Sequence, residues 1–84
     1  MQRTEVRLGD KLPIDRKKAA LIAHAASKYE STVTLEKDSV ILNAKSMLGM
    51  LSQSMPKNGV MDLVVDGVDE RAATDEIVRV INAL

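Results

Sequence analysis

The sequence contains no cysteine, no tryptophan and no phenylalanine. Without cysteine there is no disulfide, no thiolate metal site and no cysteine nucleophile. The absence also fits a cytoplasmic protein. Tyr29 is the only aromatic residue, so Ala, Leu, Ile, Val and Met must fill any core. One aromatic is also little for stacking on bases. Neither sign of charge is in excess: twelve basic residues balance twelve acidic ones. That balance removes the electrostatic argument for nucleic acid or for an anionic membrane surface. No apolar run resembles a signal peptide, and none is long enough to span a bilayer. His24 is the only histidine, and no metal-ligand constellation accompanies it. No nucleophile–base pair is evident either. Neither a cofactor nor a self-contained enzyme is therefore expected.

What is present is a chain of 84 residues, 45% of them apolar. This suits one compact domain over residues 1–84 with a thin core. Thr4 to Leu8 alternates with period two, which predicts a strand with Thr4, Val6 and Leu8 on one face. Gly9 to Asp15 reads as a loop, broken by Gly9 and Pro13. Arg16 to Tyr29 reads as a helix, with Ala19, Ile22, Ala23, Ala26 and Tyr29 on its buried face. Ser31 to Glu36 and Val40 to Ala44 form a hairpin around Lys37-Asp38-Ser39. Ser46 opens a short helix, which Met55-Pro56-Lys57-Asn58-Gly59 ends. Val60 to Asp66 is a fourth strand. Gly67 to Asp69 then leads into a last helix, with Ala73, Ile77, Val80 or Ile81, and Leu84 inside. The order is β-α-β-β-α-β-α. Alternating strands suit an antiparallel sheet with one covered face. The expected fold is α+β, a two-layer open-faced β-sandwich with four antiparallel strands and three helices on one face.

Two helices carry more apolar surface than their inner stripes use. Leu21 falls on the side of the first helix that also holds Lys17, His24 and Lys28. In the short helix Met47, Leu48, Met50 and Leu51 crowd nearly every direction. An exposed apolar cluster with a basic rim points to a docking surface. The plainer reading makes Met50 and one neighbour core, and the others scattered surface groups.

Three segments, in order and at matching spacing, resemble the HPr family, the histidine phosphocarriers of the bacterial sugar phosphotransferase system. They are Ala25-Ala26-Ser27-Lys28-Tyr29, Asn43-Ala44-Lys45-Ser46-Met47-Leu48-Gly49-Met50-Leu51-Ser52, and Gly67-Val68-Asp69-Glu70. The likeness is strongest to HPr and catabolite-repression HPr of low-GC Gram-positive bacteria. The second segment looks like the family's regulatory serine segment. The active loop departs from the pattern. Where the family has Gly-Leu-His-x-Arg-Pro-Ala, this chain has Pro13-Ile14-Asp15-Arg16-Lys17-Lys18-Ala19. The resemblance thus sets Asp15 in the place of the phosphate-accepting histidine, Lys17 in that of the arginine and Lys18 in that of the proline.

Asp15 has three readings. It is a favoured N-cap; it is an acyl-phosphate acceptor, a chemistry that usually relies on a metal; or it is a fixed charge that partly imitates phosphohistidine. His24 lies inside a helix, where amides are already bonded, and suits a partner contact better than phosphate acceptance. Ser46 precedes an apolar helix and reads as an N-cap. The resemblance adds phosphorylation of Ser46 by HPr kinase/phosphorylase. It also implies docking of a catabolite-control transcription factor or of phosphotransferase-system proteins. Arg16, Lys17, Leu21, His24, Met47, Leu48 and Leu51 are the expected contact residues. The expected function is regulatory or docking, in an HPr-like phosphotransferase-system protein. The alternatives are a phosphoryl carrier that uses a non-histidine site, and an interaction module with no active phosphosite. The chain is expected to be a monomer or a homodimer, the latter by exchange of the first strand.

Overall fold

The computed structural model describes residues 1–53, 56 and 58–84. Within them four strands form one antiparallel sheet: β1 (Gln2–Arg7), β2 (Thr32–Lys37), β3 (Val40–Asn43) and β4 (Val60–Asp66). Three α-helices accompany it: α1 (Arg16–Ser27), α2 (Met47–Leu51) and α3 (Glu70–Asn82). The order across the sheet is β1-β4-β2-β3. β4, made last, lies between β1 and β2.

Alternation decides which face is covered, because successive side chains on a strand point to opposite sides. Val6, Val33, Leu35, Leu42, Met61, Leu63 and Val65 are buried in one continuous cluster with Ala19, Ile22 and Ala26 of α1, Met50 of α2, and Ala73, Ile77 and Ile81 of α3. Leu35 is in register with Leu42 on one side and Leu63 on the other, so three leucines cross the centre of the covered face. The opposite face carries Arg3, Asp62, Glu36 and Thr34. There Arg3 pairs with Asp62 at 2.8 Å, and Thr34 donates to Glu36 at 2.7 Å. This is the expected open-faced sandwich.

Several details differ from the sequence reading. The connection after β1 is not plain loop: Gly9–Lys11 forms a 3-10 turn. α1 ends at Ser27, with Lys28 as its C-cap, so Tyr29 lies beyond it. Ala25 is buried and Ala23 only partly so. Alanine marks a helical face weakly, because it fits either side of a boundary. Leu8 and Ala44 lie just outside their strands and are nonetheless buried. Ile81, not Val80, completes the inner stripe of α3. The segment expected to end α2 includes Met55 and Lys57, which lie outside the described residues.

Two joints hold the layers. Gly59 has φ 66°, and a Cβ there would fall 2.2 Å from the Gly9 nitrogen. Only glycine allows the two backbones to pass so closely, and the Leu8 amide donates to the Gly59 carbonyl at 2.7 Å. The second joint is Asp69. It occupies the N-cap position of α3 without capping that helix. Its carboxylate accepts instead from the Glu30 and Ser31 amides, both at 2.9 Å, and from the Ser31 hydroxyl. The Ser31 hydroxyl first, and then these amides, hold the Asp69 carboxyl below its usual value of 3.8. A carboxylate depressed on folding stabilises the protein above its unfolded pKa. That stability is lost as pH falls through the folded value. Asp69→Asn should therefore lower stability at pH 7. Urea titrations at descending pH should show the gap from wild type closing below about 3.8.

Candidate functional site

The sites singled out by sequence sit on α1 and α2, which pack against each other. Each helix starts the same way. An extended residue turns its side-chain oxygen onto a first-turn amide, one of the donors that a helix start leaves unpaired. At α1 this residue is Asp15, whose Oδ1 accepts from the Lys18 amide at 2.9 Å. At α2 it is Ser46, whose Oγ accepts from the Gly49 amide at 2.9 Å. A side chain on Gly49 would meet the Ser46 Cβ at 3.2 Å and its Oγ at 3.3 Å, so glycine keeps the cap uncrowded. The turn before Ser46 is fixed as well. Asn43 accepts from the Lys45 amide through its side chain and from the Ser46 amide through its carbonyl, both at 3.0 Å.

Around these caps the expected docking residues divide clearly. Arg16, Lys17, Leu21 and His24 are exposed along α1. On α2 only Met50 is buried. Leu48 is 77% exposed, whereas Met47 and Leu51 are 38% and 37% exposed. On α1, Leu21 is 49% exposed. Leu48 is the most exposed of these four, and Met47 and Leu51 are partly covered. His24 is well inside α1, away from the start of that helix.

A set of polar links that sequence reasoning missed braces this face from behind. Lys45 Nζ donates to the Tyr29 carbonyl at 2.7 Å. The Tyr29 hydroxyl donates to Glu76 at 2.5 Å, and Lys28 pairs with the same carboxylate at 2.7 Å. Lys28 first, then Tyr29, hold the Glu76 carboxyl below its usual range, and the same bond raises the Tyr29 phenol. These contacts join residues up to 48 positions apart, so no local sequence signal announces them.

Comparison with known proteins agrees with this geometry. A family model described as "PTS HPr component phosphorylation site" matches residues 2–83. The chain belongs to the HPr family. Phosphocarrier protein HPr of Treponema pallidum is 36% identical over 74 residues, covering 88% of this chain and 84% of that protein. HPr-like protein Crh of Bacillus subtilis is 36% identical over 76 residues, covering 90% and 87%. Among solved structures, HPr-C-His from Thermoanaerobacter tengcongensis superposes with a TM-score of 0.86 at 31% identity, covering 99% of this chain and 93% of that one. Members of the HPr family carry phosphate or regulate, and are not catalysts in their own right. Among the described residues no helix of this HPr-family chain is long and apolar enough to cross a membrane, and no cluster of His, Cys, Asp and Glu could hold a metal ion.

The cap and the exposed cluster give opposite expectations for stability. Ser46→Ala should cost about 1 kcal/mol through the lost cap. Leu48→Ala should stay within about 0.5 kcal/mol of wild type, as for other surface changes. Met50→Ala, two residues on, should cost about 2–5 kcal/mol. Chemical denaturation of the three variants checks the set.

Proposed function

We propose that this HPr-family chain is a regulatory or docking protein of the phosphotransferase system, modified at Ser46, and not a histidine phosphocarrier. The observation that carries the reading is the state of the α1 start. Asp15, placed by resemblance at the phosphohistidine position, has its carboxylate engaged with the Lys18 amide. The only histidine lies elsewhere on the helix. The likeness to Crh supports the regulatory side of the family. Ser46 opens a helix with an exposed apolar face, and a phosphate there would add about −1.5 to −2 charge at the favourable end of the helix dipole. A partner such as a catabolite-control transcription factor would then meet one dianion, the side chains of Leu21, Met47, Leu48 and Leu51, and the basic rim of Arg16, Lys17 and His24.

The second reading, a phosphoryl carrier that uses Asp15, draws support from the likeness to the Treponema pallidum phosphocarrier. Asp15 is exposed, and because its cap uses Oδ1, this reading would put the phosphate on the other carboxylate oxygen. The two readings separate in one pair of assays. With HPr kinase and ATP, mass spectrometry should find one phosphate, on Ser46, absent from Ser46→Ala. With enzyme I and phosphoenolpyruvate the chain should stay unlabelled. Stoichiometric label that disappears in Asp15→Ala would establish the carrier instead. No phosphate at Ser46 with an active kinase from the same organism would remove the regulatory reading.

Docking gives a further expectation. Burying a leucine contributes about 1.5–3 kcal/mol wherever the burial takes place. Leu48→Ala should therefore weaken binding of the Ser46-phosphorylated form to its transcription-factor partner about tenfold or more. Isothermal titration of both forms measures this.

A further inference from the structure

The connection from β1 to α1 is held by a lysine that the functional reading does not use. Lys18 lies in the first turn of α1 and is half-buried. A cation there opposes the helix dipole, and the one acid at this helix start is the N-cap Asp15. The ammonium group turns away from the helix instead. Its Nζ donates to the main-chain carbonyl of Lys11 at 2.6 Å. Lys11 ends the 3-10 turn, where carbonyls lack a donor within the turn. Lys11 reaches on in its own way: its Nζ donates to the Asn82 carbonyl, at the end of α3, at 3.3 Å. The main-chain amide of Lys18 is also the one that Asp15 caps. A single residue therefore grips the loop at two points, Lys11 through its side chain and Asp15 through its own main-chain amide.

We propose that Lys18 is a positioning latch, which fixes the loop from residue 9 to residue 15 as a preformed edge of the docking face. A loop ordered in advance spares a partner the cost of ordering it, so Asp15 and Arg16 meet that partner in one arrangement. The use of the latch rests on the docking reading. The latch itself is a property of the free protein and is tested there, so the two fail separately.

The test is amide hydrogen exchange followed by NMR. Lys18→Met keeps an apolar stem and removes the ammonium group. The amide of Lys11, which donates to the Leu8 carbonyl at 2.9 Å, should then exchange about tenfold faster or more. Amides of β4 should stay within about twofold of wild type. Lys18→Arg, which restores a cationic donor, should return the Lys11 amide toward its wild-type rate. Unchanged loop rates in Lys18→Met would overturn the latch. Equal acceleration of the loop and β4 would overturn it too, because Lys18 would then serve global packing. Phosphorylation or partner binding enters none of these outcomes.

Discussion

The sheet depends on a strand that arrives late and sits inside. β4 pairs with β1 along one edge and with β2 along the other, so removing it would leave no sheet, only a hairpin and a loose strand. A two-stranded hairpin is marginal by itself. Everything that supports β4 therefore supports the whole. Gly9 and Gly59 allow its entry to lie against the end of β1, and Asp69 ties the segment after it to the start of β2. The helices then have a complete apolar face to cover, and the positions of α1 and α2 follow from that coverage.

The functional face uses the chemistry of helix starts twice. Asp15 and Ser46 each satisfy an amide that would otherwise be unpaired. One does so with a fixed charge and the other with a hydroxyl that can acquire charge. The same local rule thus yields a start that is already anionic and one that is conditionally so, on two helices in contact. The second helix also exposes Leu48, which the core has no use for because Met50 already fills the inward position of so short a helix.

Much of this was legible in the sequence, for reasons that can be located. Val33 and Leu35, and then Met61, Leu63 and Val65, alternate cleanly, so the strands and their inner faces follow from period two alone. Asp15 and Ser46 read as caps because each precedes a helical pattern. The family was legible from three short segments. The sheet order was not, because pairing of β4 with β1 joins residues some sixty positions apart, such as Thr4 with Leu63. The 3-10 turn at Gly9–Lys11 has no periodic signal in three residues. Ala23 and Ala25 were exchanged because alanine carries little preference for either side. Asp69 read only as part of the lead into the last helix, and the fold shows its carboxylate turned to Ser31. Lys18 stood out only as the residue in the proline's place, and its bond to Lys11 depends on how the loop folds back.

The scarcity of aromatic residues has an optical consequence. Tyr29 is the only chromophore of the near ultraviolet in the chain. Its hydroxyl is bonded to Glu76 of α3, and its carbonyl is held by Lys45, which precedes α2. Its absorbance and circular dichroism therefore come from one place, the junction of the three helices, with no contribution from the aliphatic core. An unmodified sample carries its own site-specific reporter there, one that stays silent about the rest of the molecule.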